Sequence, residues 1–262
     1  MSHSLRTLAG CAALAAGLWA VTAAAAAEGV PDLSKETYKK AADADLKFLQ
    51  TRLGELAKKQ AAGEKLLDGQ VKPALGVAML LSVYGDALGD AALKADAVKV
   101  AEAIFKKDFK GADGLAQKLA VKPGAGKAGP LPKPFKDEIM LGAVMSPFRG
   151  GSVGGLNIDR DIKDMSKAAG GAKIDPAAVE LLAARSAVIN AYGFHVPNDK
   201  ANVKMDNKKK WEKWSTDSVD LSKQIAVEAA KGAKADEKAL KKMLATLNAR
   251  CTDCHNAFRD DD

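Results

Sequence analysis

The end of the chain carries the pattern that most constrains its fold. Six side chains recur at spacings of 4, 3, 4, 3 and 4, namely Leu240, Leu244, Leu247, Cys251, Cys254 and Phe258. On an α-helix these positions share one face. The sequence therefore predicts an amphipathic helix from about Asp236 to Phe258, with both cysteines on the stripe that faces the core.

These cysteines and the following histidine form a C-x-x-C-H motif at Cys251, Cys254 and His255. This is the spacing for covalent attachment of c-type haem. Two thiols must reach two vinyl groups on one porphyrin edge, and the adjoining imidazole must stand beneath the ring as the proximal iron ligand. One helical turn presents all three groups, and we expect them to face the interior of a bundle. The motif predicts one covalent haem c.

Three other uses of these residues stay open, although each is less favoured. A disulfide between positions i and i+3 is strained by helix geometry. A zinc site needs four ligands, and His195 is the strong donor that remains. A thioredoxin-like dithiol requires a strand-to-helix context that this sequence lacks.

The first residues predict export. Arg6 is followed by a nearly continuous apolar stretch from Leu8 to Ala27, with small residues at Ala25 and Ala27 before Glu28. This pattern is typical of a cleaved signal peptide over residues 1–27. The "LAGC" ending at Cys11 resembles a lipoprotein cleavage box, but the apolar stretch follows it instead of preceding it. We expect a periplasmic or otherwise exported protein without a membrane span, which suits bacterial haem attachment outside the cytoplasm.

Composition favours helices almost throughout. Ala, Lys and Leu are abundant and β-branched runs are scarce, which predicts an all-α fold. We expect a first helix from about Ser34 to Gln60, with Ser34 as its N-cap. Further stripes are predicted at Val77, Leu81, Tyr84 and Leu88, and at Val98, Ala101 and Phe105.

A segment rich in proline and glycine divides the chain. "VKPGAGKAGPLPKPF", residues 121–135, contains four prolines and three glycines, and a helix does not continue through that density. The sequence predicts an N-terminal helical bundle at 28–121, a linker at 122–134 and a haem-binding unit at 135–262.

The stretch from Trp211 to Arg259 resembles the C-terminal half of cytochrome c′ and its low-spin relatives, and the likeness extends more weakly back through 184–192. That family consists of exported four-helix bundles with haem near the C-terminus. The resemblance implies a C-terminal cytochrome c′-like four-helix bundle, preceded here by an extra N-terminal bundle. It also implies thioether bonds at Cys251 and Cys254 and proximal ligation by His255. Phe258 and Arg259 match the family's aromatic and basic positions beside the haem.

The sixth iron position decides between functions. Along "EIMLGAVMSPF", Leu141, Met145 and Phe148 fall on one helical face, so we favour Met145 as a distal ligand, with Met140 as a less favoured candidate. His195 is a weaker alternative, and either methionine could instead fill the core. A Met-ligated haem suits one-electron transfer, whereas an open position suits binding of nitric oxide or other small gases. We expect no enzyme activity beyond weak peroxidase chemistry, since no distal acid–base pair is visible.

Charge bears on the partners. Lys and Arg number 40 against 33 Asp and Glu, and removal of Arg6 with the signal peptide leaves 39 against 33. No cluster of Arg interleaved with aromatic residues suggests base stacking, so we expect no nucleic-acid binding. A Lys-rich surface suits a redox partner with acidic groups, and a homodimer is an alternative to a monomer.

Overall fold

The chain folds into helices throughout the part that the structure describes. The computed structural model describes residues 29–126, 131, 141–167 and 173–259. Within them lie ten α-helices: α1 (Lys35–Ala61), α2 (Asp68–Leu88), α3 (Ala91–Phe105), α4 (Phe109–Ala116), α5 (Leu141–Met145), α6 (Ile158–Lys167), α7 (Pro176–Phe194), α8 (Asp199–Asn202), α9 (Met205–Ala229) and α10 (Glu237–Phe258). The predicted all-α class is confirmed.

Helix starts follow the capping residues in the sequence. The Ser34 hydroxyl accepts a hydrogen bond from the Thr37 amide at 3.0 Å, which confirms the predicted cap of α1. Asp236 caps α10 through the Ala239 amide at 3.0 Å. Such side-chain acceptors satisfy amides that have no partner within the helix. The last helix therefore begins and ends where the apolar spacing predicts.

The first four helices pack in a closed cycle, because α1 contacts α2, α2 contacts α3, α3 contacts α4, and α4 returns to α1. The predicted stripe on α2 is buried. The predicted stripe on α3 is wrong, since Phe105 is 51 % exposed. The buried face of α3 instead consists of Leu93, Ala97, Val100, Ala101 and Ile104. This set keeps helical spacing, and Phe105 follows it by one residue, about 100° further round the helix.

The later helices also pack in a cycle. Helix α7 contacts α6 and α9, and α10 contacts the same two helices. Short α8 packs on α9, and α5 packs on α2 and α7. Helix α5 is followed directly by a 3₁₀ turn at Ser146–Phe148, which contains Pro147. The predicted signal peptide, most of the predicted linker and Met140 lie outside the described residues.

Buried polar groups connect the two sets of helices. Asp45 on α1 is fully buried and accepts a hydrogen bond from Arg185 Nε on α7 at 2.8 Å. Tyr84 on α2 donates to the other carboxylate oxygen of Asp45 at 3.1 Å. Nearby, Thr37 Oγ1 donates to buried Glu180 at 2.8 Å. One continuous cluster of buried side chains runs through both sets of helices, so the helices of 28–121 pack directly against those of 135–262.

Helix α2 is long and apolar enough to cross a bilayer, judged by length and composition alone. Its 21 residues include a window with mean hydropathy 1.3, and 83 % of that window is buried inside the structure. A core helix meets the same criteria, so this is weak evidence for a membrane. The absence of a membrane span stays a prediction.

Candidate haem-attachment site

The C-x-x-C-H motif lies on the last two turns of α10, where the buried stripe reaches the protein surface. Leu247 and Leu244 are fully buried one and two turns before Cys251, whereas Cys251 and Cys254 are half-buried. Both cysteines are free thiols. The stripe is thus continuous, but its thiols stand at the edge of the core.

His255 corrects the prediction that all three groups face the interior. Its side chain is exposed. The reason is its position one residue beyond the stripe, which turns it about 100° away from Cys254. The imidazole therefore lies at the surface beside the thiols, where a bound group could reach it.

The environment favours uncharged forms of all three groups. Burial raises the pKa of Cys251 to about 12, with Asp159 and Cys254 adding smaller contributions. Burial raises the pKa of Cys254 to about 11. The pKa of His255 is lowered, first by loss of water around the ring and then by the positive charge of Arg259, while Asp159 opposes the shift. Protonated thiols and a neutral imidazole therefore prevail at neutral pH.

A small aromatic cluster adjoins the second cysteine. Phe258 is 3 % exposed and meets Trp211 and Trp214 edge to face, with ring centroids 5.4 Å and 5.7 Å away. Ala201 is buried with them, and Leu141 and Cys254 pack against the group. Trp211 is itself buried, with 3 % of its surface exposed. Cys254 thus packs against an apolar surface formed by Trp211, Trp214 and Phe258, which we call the aromatic wall.

Hydrogen bonds join the neighbouring elements to this wall. Trp211 Nε1 donates to the Gly193 carbonyl at the end of α7, at 3.2 Å. Asn198, the N-cap of α8, donates to the Phe258 carbonyl at 2.5 Å. Lys200 Nζ donates to the Arg259 carbonyl at 3.0 Å. The ends of α7 and α10 and the starts of α8 and α9 therefore converge on the motif.

The remaining candidate residues fall in different places. Arg259 follows α10, is exposed, and bonds to the His255 carbonyl through its amide at 2.9 Å. Met145 is half-buried and packs against the main core, with its Cε 2.9 Å from the point that a Gly193 Cβ would occupy. On the same helix, Leu141 is the residue that packs on the aromatic cluster. His195 is exposed at the end of α7, where its ring meets Phe194.

One residue near the motif was missed by the sequence reasoning. Asp159 lies in the first turn of α6, and its charge acts on both Cys251 and His255. It is close because α6 packs along α10. Its place in the first helical turn was visible in the sequence, but the pairing of these two helices was not.

The donor set fits a covalently bound haem c. Thiols add to vinyl groups, an imidazole binds haem iron in its neutral form, and the motif presents all three on one turn. The alternatives find less support. The thiols are not joined in a disulfide. Across the described ranges, no three His, Cys, Asp or Glu side chains converge as metal ligands do.

A groove near the motif is lined mostly by charged and polar side chains, unlike the aromatic cluster. This groove of about 310 Å³ lies between α9 and α10 and is lined by Asp217, Asp220, Leu221, Gln224, Thr246 and Arg250. Charged and polar walls of this kind suit water and small ions better than a porphyrin. The aromatic cluster is the apolar surface next to the motif.

Comparisons with models of known protein families, with curated proteins and with solved structures found no match. Any function of this chain has therefore to be inferred from the residues of the site.

Proposed function

We propose that this protein is an exported monohaem c-type cytochrome that transfers single electrons. The observation that carries the proposal is the placement of two free thiols and an adjoining imidazole on one exposed turn of α10, against an aromatic wall. When bound, haem c supplies an iron centre that alternates between ferric and ferrous states. Electron transfer, not enzymatic turnover, is the role we assign.

The chain's own residues have distinct tasks in this proposal. Cys251 and Cys254 form the two thioether bonds, so they orient the group on α10. His255 would hold the haem iron, and its lowered pKa means that no proton would have to leave the ring at neutral pH. Arg259 keeps positive charge near the imidazole, and Phe258 supplies apolar surface for the edge of the porphyrin.

We further propose that the later helices form a cytochrome c′-like four-helix bundle. The cycle of contacts from α6 to α7, α9, α10 and back to α6 supports this arrangement. In it, α6 is the first of the four helices in chain order. The cycle of α1 to α4 is the extra N-terminal bundle.

The second candidate function is a five-coordinate haem that binds nitric oxide or another small gas. The packing of α5 supports this second function. Met145 lies against the main core at Gly193, whereas Leu141 is the α5 residue on the aromatic cluster. An apolar distal side without a side-chain ligand would leave one iron position open. Met145 remains the proposed sixth ligand of the electron carrier, with Met140 less favoured.

The visible spectrum of protein exported by a host with cytochrome c maturation enzymes tests both functions. The electron carrier predicts a low-spin spectrum with a Met-to-iron charge-transfer band that disappears in Met145→Ala. Met165→Ala is the matched control, because Met165 also packs half-buried against the core but should leave the band intact. A high-spin spectrum that shifts with nitric oxide would instead establish the second function. Colourless protein would refute both.

A further inference from the structure

An exposed apolar patch surrounded by lysines lies beside the haem-attachment motif. Val203 and Met205 are 72 % and 68 % exposed, the two highest values among the large apolar side chains that the structure finds exposed. They flank Lys204 where α8 gives way to α9. We name the surface formed by Val203, Met205, Lys200, Lys204, Lys208 and Lys209 the lysine-ringed patch.

The charges of this patch are concentrated and accessible. Residues 199–210 contain five lysines and two aspartates, a surplus of three positive charges in twelve residues. Lys208 and Lys209 follow Met205 by three and four positions on α9, so they stand on the same helical face as Met205. All four lysines of the patch are exposed. An apolar centre with a charged rim is the anatomy of a protein–protein contact.

The patch is joined to the end of α10. Lys200 reaches the Arg259 carbonyl at 3.0 Å, and Asn207 Nδ2 donates to the Lys200 carbonyl at 2.9 Å. Behind the patch, Trp211 and Trp214 on α9 contact Phe258. A partner seated on the patch would therefore stand next to the aromatic wall of the motif.

From this geometry we infer that the lysine-ringed patch is the docking surface for an acidic redox protein. The inference rests on the proposed electron-transfer function and names its partner class. One electron passes between the partner and the bound haem, so one is oxidised as the other is reduced. Positive charge speeds encounter with an acidic surface and loses that effect as salt rises. Val203 and Met205 add a small apolar contact at its centre.

An anionic membrane is the competing occupant, and the patch suits it less well. Helices that lie on membranes present a broad apolar face. Here the apolar centre is two side chains, and Asp199 and Asp206 interrupt the basic run. A protein with acidic groups around a small apolar contact matches both the size and the charge pattern of the patch.

Reduction kinetics of the haem-loaded protein test this docking surface. The probe is flavodoxin hydroquinone, an acidic one-electron donor, mixed by stopped flow at several salt concentrations. We expect the second-order rate constant to fall about tenfold or more between about 10 and 200 mM salt. In Lys204→Glu/Lys208→Glu/Lys209→Glu, the low-salt rate should fall at least about tenfold, and its decrease with salt should vanish or reverse. Val203→Thr/Met205→Gln should slow the reaction at high salt as well.

The matched control reverses three exposed lysines of the N-terminal helices, in Lys106→Glu/Lys110→Glu/Lys118→Glu. It changes the net charge equally, so its rate should stay within about twofold of the wild type if docking is local. If both triple variants slowed the reaction equally, at unchanged reduction potential, the lysine-ringed patch would not be the docking surface. The proposed function would remain intact. Patch-dependent binding to phosphatidylglycerol vesicles, with no effect on flavodoxin kinetics, would assign the surface to a membrane and also overturn the inference. Colourless protein would instead refute the proposed function.

Discussion

Two regions with polar side chains differ sharply in how they are packed. Where α1 meets α7, Asp45 is fully buried and accepts hydrogen bonds from Arg185 and Tyr84. At the end of α10, Cys251 and Cys254 are free thiols at the edge of the core, and His255 is exposed. The first region satisfies its polar groups within the chain. The second leaves reactive groups available to a bound molecule, as expected where function takes precedence over local stability.

Replacement of both thiols gives the largest expected effect on the second region. In Cys251→Ser/Cys254→Ser, covalent haem should be lost completely, because serine hydroxyls do not form thioethers. The helix should persist, since both positions are half-buried. Mass spectrometry and circular dichroism measure the two outcomes. Thr252→Ser is the control within the motif, as it keeps the hydroxyl that donates to the Asn248 carbonyl at 2.9 Å, and it should retain haem.

Removal of the buried carboxylate tests the first region. Asp45→Ala leaves the Arg185 guanidinium largely buried without its counter-ion, so we expect a loss of about 3–5 kcal/mol in the free energy of unfolding. Asp43→Ala is the matched control on the same helix. It removes an exposed pair with Lys39 at 2.6 Å, which should contribute far less to stability because water screens both charges. Urea titration should separate the two variants, and equal losses would mean that the Asp45 network does not join the helices.

Two helical glycines test how α5 is positioned. A Cβ on Gly76 of α2 would lie 2.6 Å from the Ala143 carbonyl oxygen and 2.7 Å from Pro147 Cγ. Gly76→Ala should therefore destabilise the protein by about 1–3 kcal/mol, because backbone must move to admit the methyl group. Gly54→Ala meets its first neighbour at 3.9 Å and should stabilise α1 by about 0.5–1 kcal/mol. Opposite signs in thermal melts would confirm the close contact of α2 with α5.

The smallest expected effects concern the charge around His255. In the Cys251→Ser/Cys254→Ser background, Arg259→Gln should raise the pKa of His255, and Asp159→Asn should lower it further. The folded pKa lies below the unfolded value of about 6.5. The neutral ring thus contributes stability above that value, and the contribution is lost as pH falls through the folded pKa. Imidazole proton titration by NMR measures both shifts. Lys242→Gln, 13 residues earlier on α10, should leave the titration unchanged.

Sequence periodicity predicted local structure well and long-range contacts poorly. The cap at Ser34 and the course of α10 follow from nearest-neighbour chemistry, and the structure confirms them. Phe105 and His255 lie one residue beyond the buried face of their helices, although the sequence predicted both side chains on that face. An apolar or reactive side chain next to a buried stripe looks like part of the stripe. The ion pair of Asp45 with Arg185 joins positions 140 residues apart, and the approach of Asp159 depends on how α6 packs on α10. Neither contact can be recognised from the sequence immediately around these residues.

The most direct test of covalent haem attachment is the mass of the tryptic peptide that spans residues 251–259, released by cleavage after Arg250 and Arg259. The protein should be exported from a host that carries cytochrome c maturation enzymes and alkylated with iodoacetamide before digestion. We expect this peptide with the added mass of one haem and no alkylated cysteine. A haem-free peptide, with both thiols alkylated or joined as a disulfide, would show that Cys251 and Cys254 do not attach haem.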